Sequence, residues 1–199
     1  MSANVRYYDE HARAFFDGTV GVDLAALHEA FLARLPAGAA VLDAGCGSGR
    51  DARAFAARGC AVTAFDASAE LAALASAHCG FSVAVRTFAQ VDEVGAYDGV
   101  WACASLLHEP HSEVAAALSR LWRALRPGGW LYASFKEGDG ERAQGGRTFT
   151  DAGADTVRGW LEALPGLAAA EVWTSADLRP EHTVRWVNAL ARLGPRPGG

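Results

Sequence analysis

The sequence predicts an α/β fold: a single doubly wound, mostly parallel sheet of seven strands with helices on both faces. Short apolar strand segments alternate with segments of helical periodicity along most of the 199 residues, an order that is typical of parallel sheets. The strand segments also lack the polar and apolar alternation of a half-exposed sheet, which indicates burial on both faces.

The individual helices and strands follow from local signals. Apolar residues at helical spacing between Leu24 and Leu35 predict a helix that Pro36 ends. Ser68 is a good N-cap, and Gly80 a good C-terminal stop, for another helix. The other predicted elements are strands 41–44, 61–65, 81–85, 97–102, 130–135, 168–173 and 183–188, and helices near 49–58, 114–125 and 157–164.

Composition and charge argue against several classes of protein. The net charge of −5 disfavours a nucleic-acid binder. No apolar run approaches the length of a membrane span, and the N-terminus lacks the apolar stretch of a signal peptide. The four cysteines are scattered without paired metal-ligand spacing. We therefore expect a cytoplasmic protein with reduced thiols, no metal site and no membrane partner.

The most informative segment is Val41–Gly49, which reads as a strand followed by a glycine-rich turn. Glycines at alternate positions allow a tight turn and the close approach of a ligand. The helix that follows offers free amides and the positive end of its dipole to an anion. Asp66 ends the next strand, 21 positions after Gly45. This is how a doubly wound sheet holds an adenosine-containing ligand.

The turn suits S-adenosylmethionine better than a nicotinamide dinucleotide. A dinucleotide motif normally has a glycine or alanine at its sixth position, which Arg50 occupies here. Asp43, just ahead of the turn, would repel a pyrophosphate. S-adenosylmethionine carries an ammonium and a carboxylate, which suit a site with both a carboxylate and free amides.

Several segments in order resemble the class I S-adenosylmethionine-dependent methyltransferases. Val41–Gly49 is similar to their first motif, and Asp66 to the ribose-binding acid of their second. Tyr97–Trp101 is similar to their fourth-strand motif, and Leu125–Gly129 to the turn before their fifth strand. The similarity covers about residues 39–135.

A finer resemblance is to small bacterial methyltransferases of the tellurite-resistance type. It is carried by the compact length, by Tyr7 and Tyr8, and by Ala102–His108. The family resemblance implies a Rossmann-like methyltransferase fold in one domain, 1–194, with a helical lid at 1–37, a cofactor-binding core at 39–135, a substrate-side insert and C-terminal strands at 136–194, and a tail at 195–199.

The resemblance also implies roles in binding the cofactor S-adenosyl-L-methionine. Asp43 would hold the methionine ammonium, and Asp66 would accept hydrogen bonds from both ribose hydroxyls. The backbone would pass close to the cofactor at Gly45, Gly47 and Gly49. Ala67 and Phe88 would contact the adenine. Ala102 and Cys103, at the end of the fourth strand, would face the sulfonium. For Phe88, plain core packing is an equal alternative.

His108 is the candidate catalytic residue. It follows the fourth predicted strand, on the side where ligands bind in such sheets. An imidazole can accept a proton near neutral pH, and methyl transfer needs a base only if the nucleophile arrives protonated. The alternative is a loop histidine whose ring is satisfied by backbone groups.

Two segments are candidates for the acceptor pocket. Tyr7 or Tyr8 could cover the cofactor or the acceptor, and ordinary packing of amphipathic tyrosines is the competing interpretation. Lys136, Arg142 or Arg147 could clamp an anionic acceptor. For these three, the competing interpretation is a solvated mobile loop.

We therefore expect a methyltransferase that acts on a small-molecule acceptor by in-line displacement. A methyltransferase for a macromolecule, either protein or RNA, stays open as an alternative, as does a non-catalytic S-adenosylmethionine-binding protein. The acidic balance and the Ala-Cys-Ala-Ser end of the fourth strand argue against a nucleic-acid substrate. The residues specify neither the acceptor nor the oligomeric state.

Overall fold

The structure, a computed structural model, describes residues 2–179 and 183–195, so residues 196–199 of the predicted tail lie outside the described part. The helices are α1 (Ala3–Glu10), α2 (Ala12–Thr19), α3 (Ala25–Leu32), α4 (Arg50–Ala57), α5 (Ala69–Cys79), α6 (His111–Ala124) and α7 (Ala154–Glu162). The strands are β1 (Ala40–Ala44), β2 (Ala61–Asp66), β3 (Ala84–Val85), β4 (Tyr97–Ala102), β5 (Leu125–Lys136), β6 (Gly140–Gln144), β7 (Arg147–Asp151), β8 (Leu167–Ala176) and β9 (Arg185–Leu193). Two short 3-10 helices span Phe88–Gln90 and Leu106–His108.

The main sheet has seven strands in the order β3-β2-β1-β4-β5-β9-β8. β1 pairs in parallel with β2 and β4, β5 pairs in parallel with β4, and β9 runs antiparallel to its neighbours β5 and β8. The strand order reverses between β1 and β4. Open α/β sheets bind ligands in the crevice outside the carboxyl ends of the strands at such a point. The predicted doubly wound, mostly parallel sheet is confirmed.

Helices cover both faces of the sheet. On one face, Phe31 of α3 and Phe55 of α4 pack on Trp101 and Tyr132, whose ring centroids are stacked 3.9 Å apart. The larger cluster on the other face includes residues of α6 and α7, among them the fully buried Leu121. Burial on both faces explains why the central strands β1 and β4 are almost continuously apolar, whereas the edge strand β8 is mostly exposed.

The third strand is shorter than the predicted 81–85. Only Ala84–Val85 pairs with β2. Val83 is buried, and its N–H donates a hydrogen bond of 2.9 Å to the Ser76 hydroxyl of α5. The chain before residue 84 therefore secures α5 instead of extending the sheet.

The charged segment after β5 is not the irregular loop that one interpretation of the sequence gives. β6 and β7 pair antiparallel as a hairpin, joined at Gly145 and Gly146. Both glycines have positive φ, 57° and 78°, as a two-residue hairpin turn of type I′ requires. This glycine pair is the local signal that predicts a hairpin here.

On the β5 side of the sheet, strands are longer than predicted. The expected turn at 127–129 is a bulge in β5, where the register against β4 shifts between Leu125 and Trp130. β8 and β9 extend to Ala176 and Leu193 because they pair with each other along almost their full length.

All four cysteines are free thiols. Across 2–179 and 183–195, no helix combines the length and the apolar character that crossing a membrane requires. The same ranges contain no group of three or more His, Cys, Asp or Glu side chains arranged to hold a metal ion.

Gly99 of β4 leaves no room for a side chain, because a Cβ atom there would lie 2.7 Å from both Leu35 Cδ1 and Phe31 Cζ. We expect Gly99→Ala to lower the free energy of unfolding by about 1–3 kcal/mol in urea denaturation. Gly159→Ala is the matched control, since Gly159 lies inside α7 with nothing within 4 Å of an added Cβ. This control should gain about 0.5–1 kcal/mol. Unchanged stability of Gly99→Ala would contradict the packing.

Candidate functional site

Two neighbouring cavities lie at the carboxyl ends of β1 and β4, around the glycine turn. The first, here the β5-side cavity, is lined by residues that include Asp43, Arg50 and Lys136. The second, here the β2-side cavity, is lined by residues that include Asp66 and Phe88. Six residues line both cavities and so form their junction: Tyr8, Phe15, Gly45, Gly47, Ala104 and His108.

The first two glycines of the turn hold the backbone close to its neighbours. Gly45 and Gly47 have φ of 73° and 56°, a region that disfavours side chains. A Cβ on Gly45 would lie 2.6 Å from Ser105 Cβ, and one on Gly47 would lie 3.1 Å from a ring carbon of Phe15. A side chain at either position would narrow the junction between the cavities.

The third glycine acts elsewhere. A Cβ on Gly49 would lie 2.7 Å from Cys79 Sγ and 3.0 Å from Ala75 Cβ of α5, so its absence lets α4 and α5 approach. Neither Gly49 nor the fully buried Ala102 is among the described residues that line the two cavities, although Cys103 lines the β5-side cavity.

Asp43 is a buried carboxyl group on the wall of the β5-side cavity. It is 2% exposed, and its Oδ2 has no hydrogen-bond partner among the described residues. Burial raises the pKa of Asp43 well above its usual range, and the charge of Asp51 raises it further. An unsatisfied buried oxygen costs free energy, so a donor from a ligand, above all a cationic one, would be stabilised here.

Arg50 places a fixed positive charge on the same cavity. Its Nε and Nη2 donate to Asp51 at 2.7 and 2.9 Å. Asp51 also accepts hydrogen bonds of 2.9 Å from His28 Nε2 and from Trp101 Nε1. Burial raises the pKa of Asp51, but the Arg50 charge and the hydrogen bonds from His28 and Arg50 hold it below its usual range. Arg50 is absent from the predicted binding residues because the glycine motif ends one residue before it.

Asp66 faces the β2-side cavity. Its Oδ2 accepts from the Gly47 amide at 2.8 Å, and its Oδ1 accepts from the Ser68 amide at 2.9 Å. Burial raises the pKa of Asp66, although these backbone hydrogen bonds oppose the rise. Each carboxylate oxygen can accept more than one hydrogen bond, so both can still take a ligand hydroxyl.

The rest of the β2-side cavity is largely apolar. Ala67 and Phe88 line it, as do Phe65 and Leu71. The Phe88 ring contacts the Phe65 ring edge-on at 5.6 Å, and Phe88 also belongs to the main core cluster. Phe88 therefore packs in the core and also lines the β2-side cavity, and its contact with adenine stays a prediction.

His108 lies at the junction with both ring nitrogens engaged. Nδ1 is 3.3 Å from the Thr148 carbonyl, which can only accept, so Nε2 must accept the 2.8 Å hydrogen bond from the Tyr8 hydroxyl. Burial lowers the pKa of His108 to about 3, and the charges of Arg147 and Lys136 add to this effect. The base role of His108 stays a prediction. The low pKa of the ring argues against this role, because such a ring is a weak base at neutral pH.

The three predicted substrate residues lie together. Tyr8 and Arg147 line the β5-side cavity, with Arg147 Nη1 3.4 Å from the Tyr8 hydroxyl oxygen. Tyr7 is outside the described lining of both cavities. Its ring centroid lies 4.7 Å from Arg147 Cζ, so the Tyr7 ring packs against the guanidinium without lining either cavity.

Ala104 is a site residue that sequence reasoning misses. It lines both cavities with φ of 51°, and its amide donates to the Ser134 hydroxyl at 2.9 Å. A non-glycine residue in this region costs roughly 1–2 kcal/mol, and such strain clusters at functional sites.

Further lining residues come from the end of the chain: Asp177, Arg179, Trp186 and Asn188. Trp186 and Asn188 reach the β5-side cavity because β9 pairs antiparallel with β5, and Asp177 and Arg179 because they follow β8, which pairs with β9. No motif in the sequence marks them.

The chain is similar to known methyltransferases in sequence. Residues 41–129 match the family model of a methyltransferase domain. The malonyl-[acyl-carrier protein] O-methyltransferase of Enterobacter lignolyticus (strain SCF1) is 37% identical over 167 residues, which are 82% of this chain and 55% of that protein. The ubiquinone biosynthesis O-methyltransferase of Chromobacterium violaceum is 39% identical over 106 residues, 49% of this chain and 44% of that protein. The chain thus spans about half the length of these curated relatives.

A solved structure matches nearly the whole chain. It is the 1,6-didemethyltoxoflavin-N1-methyltransferase of Burkholderia thailandensis, with bound 1,6-didemethyltoxoflavin and S-adenosylhomocysteine. The TM-score is 0.75 at 26% identity, over 98% of this chain and 92% of that one. The finer resemblance to tellurite-resistance-type enzymes stays a prediction.

The buried state of His108 predicts a pH dependence of stability. A histidine in the unfolded chain titrates near pH 6.5, whereas the pKa of folded His108 is about 3. The unfolded state therefore binds more protons between these pH values. The contribution of the neutral His108 ring to the free energy of unfolding is complete above pH 6.5 and is lost as the pH falls toward 3. From about pH 6.5 to 4, unfolding free energies should fall more steeply in the wild type than in His108→Gln, by roughly 1 kcal/mol per pH unit.

The matched control is His11→Gln, because His11 is exposed. It should keep the wild-type slope in the same urea series. Equal slopes for the wild type and His108→Gln would show that the ring is not held neutral by burial.

Proposed function

Because the chain belongs to the class I S-adenosylmethionine-dependent methyltransferase family, we propose that it transfers a methyl group from S-adenosylmethionine to a small-molecule acceptor by in-line displacement. Both curated relatives named above are O-methyltransferases, and the solved relative is a methyltransferase bound to a small molecule. The observation that carries the proposal is the unpartnered Oδ2 of Asp43 beside the glycine turn at the strand-order reversal.

The residues around Asp43 fit the methionine end of the cofactor. An ammonium group would donate a hydrogen bond to the unpartnered Asp43 Oδ2. Its positive charge would also compensate the negative charge of the buried Asp43 carboxylate. Arg50, held rigidly by Asp51 at 2.7 and 2.9 Å, offers a cation to the carboxylate of the same amino-acid moiety. One cavity therefore presents both signs of charge, as a zwitterionic group requires.

The β2-side cavity fits the adenosine end. We propose that Asp66 accepts hydrogen bonds from the ribose hydroxyls, and that the adenine packs between Ala67 and Phe88. Gly45 and Gly47, which line both cavities, allow the ligand to cross from one cavity to the other. Gly49 and Ala102 serve the site indirectly, through helix packing and through the core.

The methyl group would then lie at the junction, near Cys103, Tyr8 and His108. S-adenosylmethionine supplies a methyl carbon on a sulfonium, which is already a good leaving group, so positioning the acceptor in line can suffice. His108 orients the Tyr8 hydroxyl through its 2.8 Å hydrogen bond. We propose that these two residues shape the junction and exclude water from it.

Residues 1–37 are proposed to act as a lid over both cavities. Two residues of α1 tie it to opposite sides of the site. Asn4 Nδ2 donates to the carbonyls of His108 and Thr148 at 3.0 Å each. Asp9 Oδ1 accepts from the Ser68 hydroxyl at 2.6 Å. Tyr8, between them, closes the junction from above.

We further propose that the protein works in the cytoplasm and does not act on nucleic acid. Its four free thiols suit a reducing compartment. A net charge of −5 would repel a phosphate backbone.

Asp43→Asn tests the cofactor site, because it removes the charge while nearly preserving the shape of the side chain. We expect the affinity for S-adenosylhomocysteine, measured by isothermal titration calorimetry, to fall by about ten-fold or more, the cost of one charge-assisted hydrogen bond. Asp92→Asn is the matched control, since the Asp92 side chain is 89% exposed, and it should bind like the wild type. Wild-type affinity in Asp43→Asn would refute the ammonium assignment.

A further inference from the structure

We propose that the acceptor is recognised through an oxyanion, either a carboxylate or a phosphate-type group, held between Lys136 and Arg147 in the β5-side cavity. This inference rests on the proposed methyl-transfer function and adds the chemical class of the acceptor. Five observations carry it: the placement of the two cations, their lack of acidic partners, an unused donor of Arg147, the mutual repulsion of the cations, and the state of His108.

One buried ring braces both cations at the cavity wall. Lys136 ends β5 and Arg147 begins β7, and both line the β5-side cavity. Lys136 Nζ lies 3.7 Å, and Arg147 Cζ 5.1 Å, from the centroid of the Phe149 ring, which is 2% exposed. Contacts of this kind hold a cation in place without neutralising its charge.

Neither cation has an acidic partner in the described part of the chain. The nearby acids are already paired, Asp151 with Arg142 and Asp177 with Arg179. Across 2–179 and 183–195, no carboxylate forms an ion pair with Lys136 or with Arg147. Lys136 and Arg147 are both partly buried, and charges removed from water are normally paired, so this end of the cavity lacks a negative charge.

Arg147 also has an unused donor. Its Nε atom is buried and has no hydrogen-bond partner among the described residues. Its Nη1 lies 3.4 Å from the Tyr8 hydroxyl oxygen, which is long for a hydrogen bond. A guanidinium fork with free donors matches the two oxygens of a carboxylate or a phosphate.

The electrostatics of this region favour an incoming anion. Burial lowers the pKa of Lys136 to about 8, and the charges of Arg142 and Arg147 lower it further. Asp151 opposes this effect, while Arg179 adds to it. Cations that repel one another in a partly buried cavity are stabilised when an oxyanion lies between them.

An oxyanion also agrees with the state of His108. Carboxylate and phosphate oxygens are already deprotonated at neutral pH, so such an oxygen can attack without a base. The C–O bond forms as the S–CH3 bond breaks, and the electron pair of that bond stays on sulfur. The products are a methyl ester and S-adenosylhomocysteine, and no proton moves. The reaction therefore needs no base, and the pKa of about 3 of His108 is compatible with it.

The composition of the chain provides a direct test. Lys136 is the only lysine, because the other 17 of the 18 Lys and Arg residues are arginines. Full-length protein labelled with carbon-13 at lysine Cε, and saturated with S-adenosylhomocysteine, should therefore give one lysine Cε signal in an NMR spectrum. Malonate and methylphosphonate should each shift this signal saturably and raise the pKa of Lys136 above about 8. Uncharged malonamide should not.

Two arginine variants make the test specific. Arg147→Gln should weaken the binding of both anions by about ten-fold or more. Arg158→Gln, at an arginine of α7 whose side chain is 46% exposed, should bind them like the wild type. The tighter of the two anions identifies whether the site prefers a carboxylate or a phosphate-type group.

Three results would overturn the proposal. The first is that neither anion shifts the lysine signal. The second is that Arg147→Gln binds the anions as tightly as the wild type. In the third, Lys136→Gln or Arg147→Gln weakens S-adenosylhomocysteine itself, which would assign the cations to the carboxylate of the cofactor. Failure of the proposed function looks different, because the wild-type protein would then not bind S-adenosylhomocysteine before any anion is added.

Discussion

The site depends on the ion pair and the hydrogen bonds that the buried Asp51 carboxylate forms. It is 5% exposed and accepts hydrogen bonds from His28 of α3, from Arg50 at the start of α4, and from Trp101 of β4. Trp101 in turn stacks on Tyr132 of β5. One charge therefore fixes an N-terminal helix, the helix after the glycine turn and the central strands relative to one another. Removing one partner from a buried ion pair costs about 3–5 kcal/mol, so the geometry of the turn depends on this group.

The proposed cofactor half of the site could be inferred from the sequence because its signals are local. The strand, turn and helix start of Val41–Gly49 are contiguous, and Asp66 ends the neighbouring strand. Ser68 caps α5 through a hydrogen bond from the Leu71 amide, and Gly80 ends that helix with φ of 79°. These features depend on backbone geometry within a few residues, which the residue types alone determine.

The proposed acceptor half could not be inferred in the same way, because distant segments build it. Trp186 reaches the cavity only through the pairing of β9 with β5. The sequence predicts the edge of the sheet at which His108 lies, but its pKa depends on burial and on charges carried by Arg147 and Lys136. The Tyr8 hydroxyl that engages its ring is 100 residues away in sequence. Local patterns contain no information on such neighbours.

The hydrogen bonds of Asn4 also have a consequence for the order of folding. They join residue 4 to Thr148, 144 positions along the chain, and closing so long a loop costs entropy that no local contact repays. We therefore expect the parallel strands around β1 to assemble before α1 docks on the β6–β7 hairpin. The sheet side of the site would then form before α1 covers it, and in the proposed lid the last contacts to form are also those that separate when ligands enter and leave.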